Sequence, residues 1–170
     1  MTTTFSKRMA TLTRMTAMLV AGVVVMGAMA MAQSDDAKMV GTWKVQVTLY
    51  NCVTGQQGQP FGSMLSFNRG GTLIGTTSNS AFQPGQRTSD YGSWSHVSGN
   101  TYKAASEAYI LFSSAPNPPA PGFSQGSQRI TQSITLNGDQ FTSVATVQFL
   151  DPAGNVIRAG CATATGQRFQ

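Results

Sequence analysis

From Gly41 to the C-terminus, apolar side chains recur at every second position, the signature of half-buried strands with one face inward and the other in water. In the first such stretch Trp43, Val45, Val47 and Leu49 alternate with Thr42, Lys44, Gln46 and Thr48. Phe61, Ser63, Leu65 and Phe67 repeat the pattern, and further strands are predicted near residues 72–77, 91–97, 101–112, 128–136, 140–150 and 155–168. No segment carries helical spacing.

The separators are turn signals. Asn68-Arg69-Gly70-Gly71, Ser98-Gly99-Asn100, Asn137-Gly138-Asp139 and Asp151-Pro152-Ala153-Gly154 supply the positive-φ and fixed-φ residues that hairpins need. Strands joined through such turns pair with their chain neighbours, giving an antiparallel meander. The expected fold is therefore all-β, and eight strands suffice for an up-and-down β-barrel that removes its own edges. A β-sandwich of two sheets has the same periodicity and stays open at this point.

Loop lengths add geometry. In a meander alternate connections share an end, and the second, fourth and sixth are the short turns at Gly70, Gly99 and Gly138. The first, third and fifth are long, spanning residues 51–60, 78–90 and 113–126, while the seventh, at Pro152, is short. One end is thus expected closed and the other elaborated, and the elaborated mouth of a barrel is where ligands enter. The predicted inner face of the middle strands reads Tyr102, Ala104, Ser106, Ala108, Ile110 and Phe141, Ser143, Ala145, Val147, Phe149. Small residues flanked by large ones leave room at mid-height, whereas an interior built only for stability is filled with Leu, Ile and Phe. Trp94, Tyr102, Ala104, Ser106, Ala108 and Phe149 are the expected ligand-binding residues, for a small, mostly apolar ligand.

The chain before Gly41 reads differently. Lys7, Arg8 and Arg14 precede an apolar run from Met15 to Met31, which ends in the small-x-small sequence Ala30-Met31-Ala32 and the polar Gln33-Ser34-Asp35-Asp36. This pattern predicts a signal peptide over residues 1–32 and a single barrel domain over residues 33–170, exported to the periplasm or beyond the cell. No stable membrane span is expected after cleavage.

Removing the leader changes the charge argument. The formal net charge of +5 falls to +2 beyond Ala32, with eight basic and six acidic side chains, and Arg69, Arg87, Arg129, Arg158 and Arg168 stand apart. No basic cluster survives for nucleic acid. Outward positions such as Lys44, Gln46, Thr48, Thr131, Ser133 and Thr135 are polar, which argues against a transmembrane barrel. Cys52 and Cys161 are the two cysteines, and in an oxidising compartment they are expected to pair. Because Cys161 lies six residues past Asn155, it is expected well below the rim, and the stagger of a sheared barrel or a folded-down first loop could bring it to Cys52.

Gly41-Thr42-Trp43, at the start of the first strand, resembles the G-x-W motif of lipocalins and related calycin barrels. The resemblance implies a lipocalin-like barrel whose floor is closed by Trp43 beneath a C-terminal arginine, either Arg158 or Arg168. A second Gly-x-Trp stands at Gly92-Ser93-Trp94, and the nearest match to the family's T-D-Y element is Thr88-Ser89-Asp90-Tyr91, ahead of the fourth strand.

Candidate chemistry is sparse. Beyond the leader there is one histidine, His96, and one glutamate, Glu107, whose parity with Lys103 points it to water. No nucleophile motif of the G-x-S-x-G kind occurs, and His, Cys and carboxylates never cluster at ligand spacing, so no catalytic set, metal or cofactor is assigned. The proline run Pro116-Asn117-Pro118-Pro119-Ala120-Pro121 reads as a semi-rigid loop at the mouth. The expectation is a non-enzymatic ligand-binding barrel. The alternatives are a small isomerase or cyclase using Glu107 or His96 as its base, and a structural or surface-interaction protein.

Overall fold

The alternation of apolar and polar side chains resolves into eight strands: β1 (Gly41–Tyr50), β2 (Phe61–Phe67), β3 (Thr72–Thr77), β4 (Asp90–Ser98), β5 (Thr101–Tyr109), β6 (Ser127–Asn137), β7 (Gln140–Leu150) and β8 (Val156–Arg168). The computed structural model describes residues 37–113 and 125–170. The expected signal peptide and the proline run at 116–121 lie outside the described residues. Each strand pairs antiparallel with the next and β8 pairs with β1, so the sheet is a closed up-and-down barrel and not a sandwich.

Closure is strongly staggered. A row of directly paired residues starts at Gly41 and runs through Phe67, Leu73, Gly92, Ser106, Ile130 and Val147 to Gly160. Gly160 is the residue before Cys161, the partner of Tyr50, so one circuit climbs the length of β1. This shear resolves the depth of Cys161: the β7–β8 hairpin rises past the end of β1, which leaves Cys161 level with the rim there. Cys52 and Cys161 form a disulfide with their Cα atoms 5.3 Å apart, across the seam where the barrel closes.

The closed end holds the turns at Gly70, Gly99 and Gly138, and its interior is packed solid. Met39, Trp43, Phe67, Leu73, Tyr102, Ile134 and Phe141 are fully buried there. Their rings meet edge to face, the geometry aromatic quadrupoles favour: Trp43 on Phe141 at 5.2 Å, Phe141 on Phe67 at 6.3 Å, and Phe67 on Trp94 at 5.9 Å. Both indole N–H groups are satisfied, Trp43 donating to the Met39 carbonyl and Trp94 to that of Asn68. Met39 arrives on a helical turn at residues 37–39, an element that strand periodicity does not register.

Of the two candidate arginines, Arg168 caps the floor, its guanidinium carbon 4.3 Å from the Trp43 ring centroid. Arg158 lies instead over Phe149, near the open end. The glycine of Gly41-Thr42-Trp43 has a steric reason: its φ is +140°, and a Cβ there would come within 2.7 Å of Arg168 Nη1. The barrel and this capped floor fit a lipocalin-like fold.

Candidate functional site

Above the floor the lumen is not completely filled. A cavity of about 70 Å³ remains, and its walls divide by strand. In a ring of eight consecutive strands β1 faces β5, β2 faces β6 and β8 faces β4 across the lumen. Val45, Val47 and Leu49 of β1, Phe61 and Leu65 of β2 and Ala162 of β8 make one wall apolar. Asp90 of β4, Ser106 of β5, Gln128 and Gln132 of β6, together with Arg87 from the connection before β4, make the facing wall polar. Ser143 lies between them on β7.

The polar wall depends on how the third connection folds. β5 ends at Tyr109, earlier than the predicted residue 112, and the chain just beyond it pairs with the connection instead. Arg87 forms an isolated bridge with Ile110, Thr88 N donates to Tyr109 O at 3.1 Å, and Leu111 N donates to Gln86 O at 2.8 Å. This short pairing turns Arg87 into the lumen. Its Nη2 donates to Asp90 Oδ1, its Nε to Gln128 Oε1 at 2.6 Å and its Nη1 to Thr88 O at 3.1 Å. Both side chains of the ion pair are only 4% exposed. Burial pushes the Asp90 carboxyl above the ordinary carboxylate range, and the charge and hydrogen bond of Arg87 offset that only in part.

With its oxygen committed to Arg87, Gln128 keeps its amide NH₂ for other partners. Ser63, which also lines the cavity, turns its hydroxyl back to the Thr76 carbonyl at 2.6 Å. Ser143 does not: it is 6% exposed, and its Oγ has no hydrogen-bond partner among the described residues. A buried hydroxyl left in this state costs free energy.

The structure separates the six expected ligand-binding residues. Ser106 lines the cavity. Trp94, Tyr102 and Ala104 belong to the packed floor cluster. Ala108 is buried higher on β5, and Phe149 meets Phe82 of the third connection at 6.5 Å. Arg87, Asp90, Gln128, Gln132 and Ser143 were not among the expected binding residues. For three of them the signal is parity, since Asp90 is in phase with Trp94 and both glutamines are in phase with Ile130 and Ile134; Ser143 stands on the predicted inner face, and Arg87, in a connection, has no such signal.

Neither candidate base reaches the cavity. Glu107 lies on the outer wall, where the Ser127 hydroxyl at 2.5 Å, and then Arg129, hold its carboxylate below the ordinary range. His96 is at the closed end, its ring 5.1 Å from that of Tyr102 and its Nε2 2.9 Å from Gly99 O. Among the described residues no group of three or more His, Cys, Asp or Glu side chains is placed to hold a metal ion. The chain matches no family model and no curated protein, so the reading of this site rests on its geometry.

Proposed function

We propose that the protein is an exported binding module that holds a small molecule in its upper lumen. The observation that carries this reading is a cavity between walls of opposite chemistry, above a floor that is completely packed. A barrel needing only stability would close that space as it closes the floor. The disulfide fits export to an oxidising compartment, and the leader pattern supplies the route.

The volume sets the scale of the ligand. About 70 Å³ is well below the ~150 Å³ of a cavity that takes benzene and far below the ~300–1,000 Å³ of drug-sized pockets. The expected ligand therefore has only a few heavy atoms, and the polar wall makes it amphipathic where the inner face of β5 and β7 alone suggested mostly apolar. Titrating the isotope-labelled barrel with a panel of molecules smaller than benzene, of about two to five heavy atoms, tests the proposal. Saturable amide shifts at Ser106, Ala145 and Ala162 are expected for at least one class. Shifts confined to outward residues, or none that saturate, would leave the protein a structural barrel.

A further inference from the structure

We infer that this cavity takes its ligand in an uncharged form and in one orientation, with a hydrogen-bonding edge toward Ser143 and the β4–β6 wall and a hydrocarbon edge toward β8, β1 and β2. The inference rests on the binding reading above and specifies its ligand class: a short amide, alcohol or ketone.

Charge balance is the first step. The two ionisable side chains among the described residues of the cavity wall, Arg87 and Asp90, already pair with each other, and Gln128, Gln132, Ser106 and Ser143 carry no charge. A ligand bringing its own charge would add an uncompensated ion to a buried space, the costliest thing to bury. A neutral polar group meets no such penalty.

Unmet hydrogen bonding is the second step. The Ser143 hydroxyl is buried without a partner among the described residues and can both donate and accept, and the Gln128 amide has N–H groups to offer. A site built to satisfy such groups rejects molecules that lack them, because the polar atoms are then left unpaired. The hydrocarbon wall faces the glutamines across the lumen, so satisfying the polar edge directs the remaining atoms onto Val47, Leu49 and Phe61. Orientation follows from the placement of the walls.

The test compares three organic probes of similar size, propionamide, propionate and propylammonium, with the smaller apolar probe xenon on the intact, oxidised barrel at pH 7. Propionamide is expected to bind at least about tenfold more tightly than either ion. In Ser143→Ala its affinity should fall about fivefold or more while xenon binding is unchanged. The same variant should melt at a higher temperature in the absence of ligand, because an unpartnered buried hydroxyl has been removed; a residue with a purely structural role would lose stability instead. Ions that bind as well as the amide would overturn the charge argument, and an unchanged amide affinity in Ser143→Ala would overturn the recognition role of that hydroxyl. Xenon binding without amide binding would leave a cavity but no polar recognition. Failure of all four probes would count against the binding reading itself.

Discussion

Arg168 stacks on Trp43 at 4.3 Å while its three nitrogens hold separate oxygens: Nη1 the Val40 carbonyl at 2.7 Å, Nη2 the Lys38 carbonyl at 2.5 Å, and Nε the Asp139 carboxylate at 2.6 Å. One side chain thus ties the last strand to the segment before β1 and to the β6–β7 turn. Arg168→Ala removes the stacking contact and leaves two carbonyls and a carboxylate to find water. A loss of about 2 kcal/mol is expected, a fall in Tm of roughly 6 °C for a domain of this size. Arg168→Lys keeps the charge without the planar fork, so it should recover less than half of that loss in thermal denaturation.

The disulfide closes a loop of 109 residues, so most of its effect falls on the unfolded chain. Chain entropy values such a link at about 4.7 kcal/mol. Reduction, or replacement of both cysteines by serine, should lower stability by roughly 3–5 kcal/mol. Denaturant unfolding monitored by tryptophan fluorescence measures it. Alkylation of the native, unreduced protein should add no mass, and two reactive thiols would contradict the bridge.

The reasons some of this was legible in the sequence and some was not are local. Period-two alternation gave the strands, because an inward Trp43 or Val45 and an outward Lys44 or Gln46 differ in chemistry at each step. Loop lengths marked the closed end, and Gly41-Thr42-Trp43 marked its floor. The stagger that brings Cys161 beside Tyr50 stood only as one of two alternatives, since its size accumulates over all eight ladders and no single strand encodes it. The polar wall was hidden differently. Parity tells which face a side chain takes but not its partner, and Arg87 stands in a connection whose pairing with Ile110 lies beyond the ends of the strands. Met39 went unread as floor because one helical turn is too short to show a period.

Gly166 and Gly160 lie on the same strand and should respond oppositely to one methyl group. A Cβ on Gly166 would sit 2.1 Å from Cε1 of Phe141, a ring wedged between Trp43 and Phe67, whereas a Cβ on Gly160 would meet nothing within 4 Å. Gly166→Ala should therefore cost about 1–3 kcal/mol through overpacking of the floor. Gly160→Ala should be neutral or stabilise by up to about 1 kcal/mol, by restricting the unfolded chain. Chemical denaturation of the two variants decides the matter, and equal effects would contradict the packing described for Phe141.

The buried pair of Arg87 and Asp90 makes a prediction in two parts. Removing one partner leaves a charge in the lumen without its counter-ion, so Arg87→Met or Asp90→Leu alone should cost about 3–5 kcal/mol. Removing both leaves no unpaired charge, and the double variant should recover most of that loss, giving a large coupling energy in the double-mutant cycle. The second part concerns pH. Because the folded-state pKa of Asp90 is raised, the native protein binds the proton more tightly than the unfolded chain does. Its contribution to stability is fully present below the ordinary carboxylate pKa of about 3.9 and declines as pH rises through the raised value. Glu107 and Asp151, whose pKa values are lowered, act in the opposite sense, losing stability as pH falls through their folded values. The bulk profile therefore mixes signs, and the Asp90 part is isolated by subtracting the profile of Asp90→Asn from that of the native chain. That difference should fall as pH rises above about 4 and then level off; a difference that rises instead would mean that Arg87 outweighs burial and brings the folded-state pKa of Asp90 below its ordinary value.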